Sequence, residues 1–212
     1  MTKWRFGIMA AVSRNGIIGV EGKIPWKIPQ DRQIFKALTN KKCLILGRRT
    51  FEEHPTLAHI DHASRCIIVS QSLASIDNTS QHAPDTTFQI ARSFPEAMRL
   101  AKDSDPMKKG DDDCGISHIQ LSRESVGSSS LPCWVVGGQG IYEEALTHEA
   151  AEEVHLSVVD MDVDVSDKKE VARFPPQDSW RHRFEEVARK TYSSLDGGNT
   201  PDFTYHVYQR RT

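Results

Sequence analysis

The chain lacks the features that mark membrane, secreted and nucleic-acid-binding proteins. No apolar run approaches the roughly 20 residues that a membrane-spanning helix needs. The opening stretch, MTKWRFGIMAAV, does not follow the basic, apolar, small-residue order of a secretory leader, so none is expected. Neither sign of charge is in excess. Against 29 acidic residues stand 27 Lys and Arg, a net charge of −2 that argues against a polyanion as partner. Cysteine is sparse: Cys43, Cys66, Cys114 and Cys133 are far apart, with no C-x-x-C pair. Three of them open apolar runs, so buried free thiols in a reducing compartment are expected, cytoplasmic first and mitochondrial as the alternative. A phosphate-binding G-x-x-x-x-G-K-[ST], a dinucleotide G-x-G-x-x-G and a nucleophile G-x-S-x-G are all missing. There is no internal repeat. What remains is enough chain for one sizeable core.

Short apolar runs alternate with amphipathic stretches, the pattern of an α/β fold. Phe6 to Val12 is apolar almost throughout, as a strand covered on both faces should be. It ends in the turn signal Ser13-Arg14-Asn15-Gly16, followed by a glycine-punctuated loop to Gly22. Runs of the same kind lie at Cys43 to Leu46, Cys66 to Val69 and Cys133 to Val136. Helical patterns are expected over Pro29 to Thr39, Thr50 to Glu53, Phe94 to Lys102 and Gln139 to Thr147. Val154 to Val159, Trp180 to Tyr192 and Phe203 to Gln209 read as strand-like segments, the last two joined by the hairpin signal Asp196-Gly197-Gly198-Asn199. A mainly parallel sheet closed at one edge by an antiparallel hairpin fits this order. Residues 103 to 132, rich in Ser, Asp, Gly and Lys, fall outside the rhythm and are expected to be a flexible insertion. Ile116, Ile119 and Leu121 offer an alternative reading as a short docking patch.

Two constellations carry chemistry. Pro29 suits the first turn of a helix, and Asp31 lies three, four and seven positions before Ile34, Phe35 and Leu38. That spacing puts a carboxylate on the apolar face, where it needs a hydrogen-bond donor or a raised pKa. It serves either the helix N-terminus or the floor of a pocket for a polar heterocycle. The second constellation is a set of strand ends: Gly47-Arg48-Arg49-Thr50, Ser70-Gln71-Ser72 and Gly137-Gly138-Gln139-Gly140. Ligands of parallel sheets gather at such ends, and glycines, arginines and hydroxyls together suit a dinucleotide carrying an extra phosphate. Two other candidates fail. Asp160-x-Asp162-x-Asp164 begins like a calcium loop, but Val165 and Val171 stand where Gly and Glu are required, which leaves an acidic solvent face. His54, His59 and His62 have no acidic or Cys partner at metal spacing and are expected on the surface, so no metal site is expected.

From about Phe6 to Arg210 the chain resembles dihydrofolate reductase. The resemblance rests on Ile17-Ile18-Gly19, Ile24-Pro25-Trp26, Pro29-x-Asp31 with Phe35, Gly47-Arg48-Arg49-Thr50-Phe51-Glu52, and Gly137-Gly138-Gln139-Gly140-Ile141-Tyr142. It implies a single domain over 1–212: an α/β fold with a central, mostly parallel eight-stranded sheet, an antiparallel C-terminal hairpin strand and about four helices. It implies NADPH as cofactor and reduction of 7,8-dihydrofolate to tetrahydrofolate, hence a role in one-carbon metabolism and as an antifolate target. Asp31 would hold the pterin and favour N5 protonation, with Trp26 and Ser157 as its catalytic partners. Ile24, Phe35, Ile60, Val136 and Tyr142 would line the substrate pocket. Ala11, Ile18 and Gly19 would seat the nicotinamide, which Tyr142 and Ile141 border. Arg48, Ser70, Gln71, Ser72 and Arg92 would share the 2′-phosphate. Gly47, Arg49, Thr50 and the turn Gly137, Gly138, Gln139, Gly140 would hold the pyrophosphate. Asn15 to Ile24 would be a mobile lid.

Three departures stand out. Counting back from Ile67, the arginine by which the family grips the substrate's glutamate tail falls on Ser64, with Arg65 one place later. A one-residue shift in the loop would let Arg65 serve. Arg32 replaces a usually apolar residue beside Asp31 and is expected to reach toward the tail. The loop from Asp164 to Phe174 is expanded, which bears on the lid it supports. Other readings stay open: a related NADPH reductase of the riboflavin pathway, a domain that binds without turnover, or half of a thymidylate synthase fusion rather than a monomer.

Overall fold

The computed structural model describes residues 4–53, 60–76, 85–103, 129–194 and 200–212. Most of the 103–132 insertion, with Cys114 and the Ile116–Leu121 patch, lies outside them, as do His54, His59 and the 196–199 turn.

Ten strands and five helices follow in chain order among the described residues. They are β1 (Phe6–Ser13), β2 (Ile17–Val20), α1 (Pro29–Thr39), β3 (Cys43–Gly47), α2 (Arg48–Glu52), β4 (Arg65–Val69), β5 (Thr87–Ala91), α3 (Phe94–Asp103), β6 (Cys133–Val135), α4 (Gln139–Thr147), β7 (Ala151–Val159), β8 (Val171–Arg173), α5 (Gln177–Trp180), β9 (Phe184–Tyr192) and β10 (Phe203–Arg210). Eight strands form one sheet in the order β5-β4-β3-β6-β1-β7-β10-β9. The pairs from β5 through β7 are parallel, and β10 runs antiparallel to both β7 and β9. This is the expected α/β architecture. From β1 the chain moves outward through β3, β4 and β5, then returns to insert β6 between β3 and β1. The reversal opens a crevice at the carboxyl ends of these strands.

Strand alternation divides the interior into two cores. Ile8, Ile45, Ile67 and Val135 face α3 and α4 on one side. Met9, Leu44, Cys66, Ile68 and Trp134 face the other side, with Trp26, Ile28 and Leu38. Trp134 lies so close to β1 that a Cβ on Gly7 would sit 2.5 Å from its ring. Only a residue without a side chain fits there. Cys43, Cys66 and Cys133 are in no disulfide; Cys66 and Cys133 are buried as expected, whereas Cys43 is only half-buried.

Three strands escape the apolar-run reading. β5 alternates too briefly to stand out. β2 and β8 are short segments that pair only with each other, outside the main sheet. The expected strand-like segment from Trp180 begins instead as the last residue of α5 and a 3-10 turn, because Trp180 is a fully buried anchor against Phe174, Phe184 and Tyr208.

Candidate functional site

Asp31 stands in the first turn of α1, whose N-cap Ile28 offers no side-chain acceptor. The carboxylate does not turn back to its own helix. Its Oδ1 accepts a hydrogen bond from the hydroxyl of Ser157, 126 positions away on β7. Burial pushes the Asp31 carboxyl above its ordinary value, and the Ser157 hydroxyl opposes that rise. The helix-stabilising reading therefore gives way to a carboxylate held over the sheet. Beneath it, Ala11, Ser157 and Tyr205 are register partners across β1, β7 and β10. The expected nicotinamide seat and the expected pterin anchor are thus side by side.

A cavity of 510 Å³ opens at the carboxyl ends of β3, β4 and β6. Its walls include Ile18, Gly19, Ile24, Gly47, Arg48, Arg49, Thr50, Ser70, Gln71 and Ser72, with Gly138, Gln139, Gly140 and Ile141 opposite. Four separate stretches of sequence meet in these walls. Gly137 takes φ +132°, and a Cβ there would lie 3.1 Å from Thr50 Oγ1. The Gly47 N–H donates to the Gly137 carbonyl at 2.7 Å, locking the two strand ends together. Paired arginines, three hydroxyls and a glycine-rich turn fit a polyphosphate chain of a nicotinamide dinucleotide.

Some residues do other work. Arg92 does not line the cavity; its Nη1 donates to the carbonyls of Ser70 at 3.0 Å and Leu73 at 2.7 Å and braces their loop. Tyr142 is buried, with its hydroxyl donating to the Met9 carbonyl at 2.8 Å. Val136 and Phe35 keep partial exposure, and Trp26 packs in the same core. Ile60, expected to touch substrate, is fully enclosed in that core. Its place in the chain suggested a pocket wall, but its side chain shows no surface to a ligand.

The expectation for Arg65 is also overturned. Arg65 opens β4 on the Ile67 face, and its Nη2 donates to the Leu100 carbonyl of α3 at 2.8 Å. Asp31 lies on the opposite face of the sheet. With a strand period of two, a shift of one residue reverses the face, so Arg65 cannot reach a substrate there. His62 departs from the surface reading as well. Its ring stands edge-on to Phe35 at 5.5 Å and its Nε2 meets Thr39 Oγ1 at 2.6 Å. That hydroxyl already donates to the Phe35 carbonyl, so the His62 Nε2–H is the donor. Burial, then the neighbouring Lys36, holds His62 below its ordinary value, and Arg32 adds to this. Lys36 Nζ lies 3.4 Å from Asp61. Arg32, Lys36 and His62 thus gather beside Phe35.

The lid region is held by the expanded loop. β2 pairs with β8, Glu21 N–H donates to the Glu170 carbonyl at 2.9 Å, and the Asn15 side chain clasps the Val163 backbone at 2.9 and 3.1 Å. Lys23, Glu53, Glu143 and residues 170–172 also line the cavity. Sequence reasoning missed them because only tertiary pairing brings them there. Asp160 and Asp162 are exposed and paired with Arg14, the acidic solvent face expected of them.

Comparison with known proteins gives one consistent family. The sequence model described as dihydrofolate reductase matches residues 5–107. A dihydrofolate reductase type 5 of Escherichia coli is 36% identical over 159 residues, covering 74% of this chain and 76% of that protein. A type 6 enzyme of Proteus mirabilis is 23% identical over 97% of this chain and 99% of its own length. Two further relatives, a type 9 protein of Escherichia coli and a dihydrofolate reductase of Enterococcus faecium, are matched over only 46% and 56% of their lengths.

Proposed function

This chain belongs to the dihydrofolate reductase family, and on that premise we propose that it reduces 7,8-dihydrofolate to tetrahydrofolate with NADPH as the reductant. The observation that carries the reading is the half-buried Asp31 carboxylate, tied to Ser157 and standing over the row of Ala11, Ser157 and Tyr205, together with the cavity at the carboxyl ends of the strands.

Arg48, Arg49, Thr50, Ser70, Gln71 and Ser72, with the Gly137 to Gly140 turn, hold the phosphates of the dinucleotide. Ala11, Ile18 and Gly19 seat its nicotinamide, which supplies a hydride when bound. Asp31 accepts hydrogen bonds from the amino and ring N–H groups of the pterin. Its raised proton affinity suits a group that favours a proton at N5 near neutral pH. Trp26 and the 15–24 segment exclude bulk water from the reacting atoms. Arg32 and Lys36, gathered by Phe35 and His62, take over the carboxylate of the glutamate tail.

The test is NADPH oxidation followed by absorbance with dihydrofolate as substrate. The parent chain turns over, and Asp31→Asn loses about 100-fold or more in kcat/KM, the usual scale of a general acid–base contribution. An Asp31→Asn protein with undiminished rate removes the carboxylate from the mechanism.

A further inference from the structure

Gln139 opens α4 at the glycine turn, and its side chain bridges from there to β8. Its Oε1 accepts a hydrogen bond from the Arg173 N–H at 2.9 Å, and its Nε2 donates to Glu143 Oε1 at 3.1 Å. A backbone N–H can only donate, so the amide oxygen faces Arg173 and the amide nitrogen is left for Glu143. Both ends of the amide are thus engaged within the protein.

Arg173 ends β8, a strand of three residues whose pairing partner is β2. A ribbon of two short strands is marginal by itself and needs support from outside. Phe174 supplies part of it, packed against the Tyr142 ring of α4 at 5.0 Å and edge-on to Trp180 at 6.0 Å. One anchor fixes a point but not the direction in which the strand leaves it. The bond from Arg173 to Gln139 adds a second point on the same helix. Open space flanks this contact. The 510 Å³ cavity reaches Val171 and Ala172, and a second cavity of 350 Å³ is lined by Asn15, Gly16, Arg173 and Phe174. Gln139 and Glu143 border both cavities, so close packing contributes little to holding β8 at this place. β8 in turn holds the 15–24 segment. Arg173 Nη1 donates to the Asn15 carbonyl at 3.2 Å and the Phe174 N–H to the Gly16 carbonyl at 3.0 Å. From the other side, the Glu21 N–H donates to the Glu170 carbonyl at 2.9 Å.

We propose that Gln139 is a positioning residue that fixes β8, and through it the 15–24 segment, against the Gly137–Gly140 turn. Ile18 and Gly19 of β2, Val171 and Ala172 of β8, and Gly138 and Gly140 of the turn all line the larger cavity. The bridge therefore sets the shape of one cavity wall. Its consequence for NADPH rests on the reductase reading; the bridge itself is a property of the folded chain.

The experiment is residue-resolved hydrogen exchange in the full chain, with the parent beside Gln139→Ala. In the variant the Arg173, Phe174 and Glu21 amides exchange about two- to tenfold faster, the scale of one neutral hydrogen bond, while β7 amides keep the parent's rate. Swapping the two side chains, Gln139→Glu with Glu143→Gln, keeps an acceptor for Arg173 and a bond within the pair, and restores the slow rates. Unchanged exchange at Phe174 and Glu21 in Gln139→Ala overturns the proposal. So does an acceleration shared equally by β7, which would mean a loss of global stability alone. NADPH binding weakens in Gln139→Ala by about the same two- to tenfold factor; an affinity equal to the parent's overturns the proposal as well. If the parent neither binds nor oxidises NADPH, the reductase reading fails, and exchange in the free chain still decides whether Gln139 positions β8.

Discussion

Replacing Ser157 with Ala removes the hydroxyl that donates to Asp31 and takes away little volume from a fully buried position. A hydrogen bond to a charged group contributes about 1.5–3 kcal/mol, and one to a neutral group about 0.5–1.5 kcal/mol. The loss therefore falls on the ionised carboxyl by the difference, on the order of 1–1.5 kcal/mol, or about one pH unit. Burial already lifts Asp31 above its ordinary value, and without Ser157 nothing from β7 opposes it. The acidic limb of the pH profile for hydride transfer should move up by about one unit. Stability should follow the same sign. Ionised Asp31 is the destabilising form in the fold, so the deficit of Ser157→Ala is largest above the folded-state pKa of Asp31 and shrinks as pH falls through it. Urea denaturation at several pH values, beside single-turnover rates, measures both. Ser157→Thr, which keeps a hydroxyl, should behave like the parent. If the pH profile of Ser157→Ala superposes on the parent's, the bond does not control Asp31.

Two other consequences concern residues whose roles the structure separates. Arg32→Leu and Lys36→Leu should each raise the KM for dihydrofolate about tenfold, on the scale of a charge-assisted contact, while Arg65→Met leaves KM unchanged and lowers only stability; a KM defect in Arg65→Met would contradict its placement on the α3 face. Gly7→Ala drives a methyl to 2.5 Å from the fully buried Trp134 ring. It should destabilise by about 1–3 kcal/mol in denaturant melts, with Trp134→Leu recovering part of the loss in the double variant; a melt within experimental error of the parent would show that the strand can shift to admit a methyl.

The helices at Pro29–Thr39 and Gln139–Thr147 were legible to the residue, because a proline start, glycine boundaries and a 3.6-residue apolar period act locally. The strand ends that line the cavity were legible for a similar reason. Glycine, arginine and hydroxyl residues just after an apolar run carry their chemistry in short range. β2 and β8 were not legible, since each exists as a strand only by pairing with the other across some 150 positions. The fully buried Ile60 was misplaced because a residue name does not say whether a cavity or a core lies beyond it.

Sequence by itself determined the alternation of strands and helices, the reductase motifs and the placing of Asp31 on an apolar helix face. Each of these depends on period, turn chemistry and residue type over a few neighbours. Only the tertiary structure decided what that carboxylate meets. Ser157 comes to it through strand register, and register decides faces. The same parity sends Arg65 to the far side of the sheet, away from Arg32, Lys36 and His62 beside Phe35. A single-residue offset is small in sequence, yet in a sheet it exchanges one side of the molecule for the other.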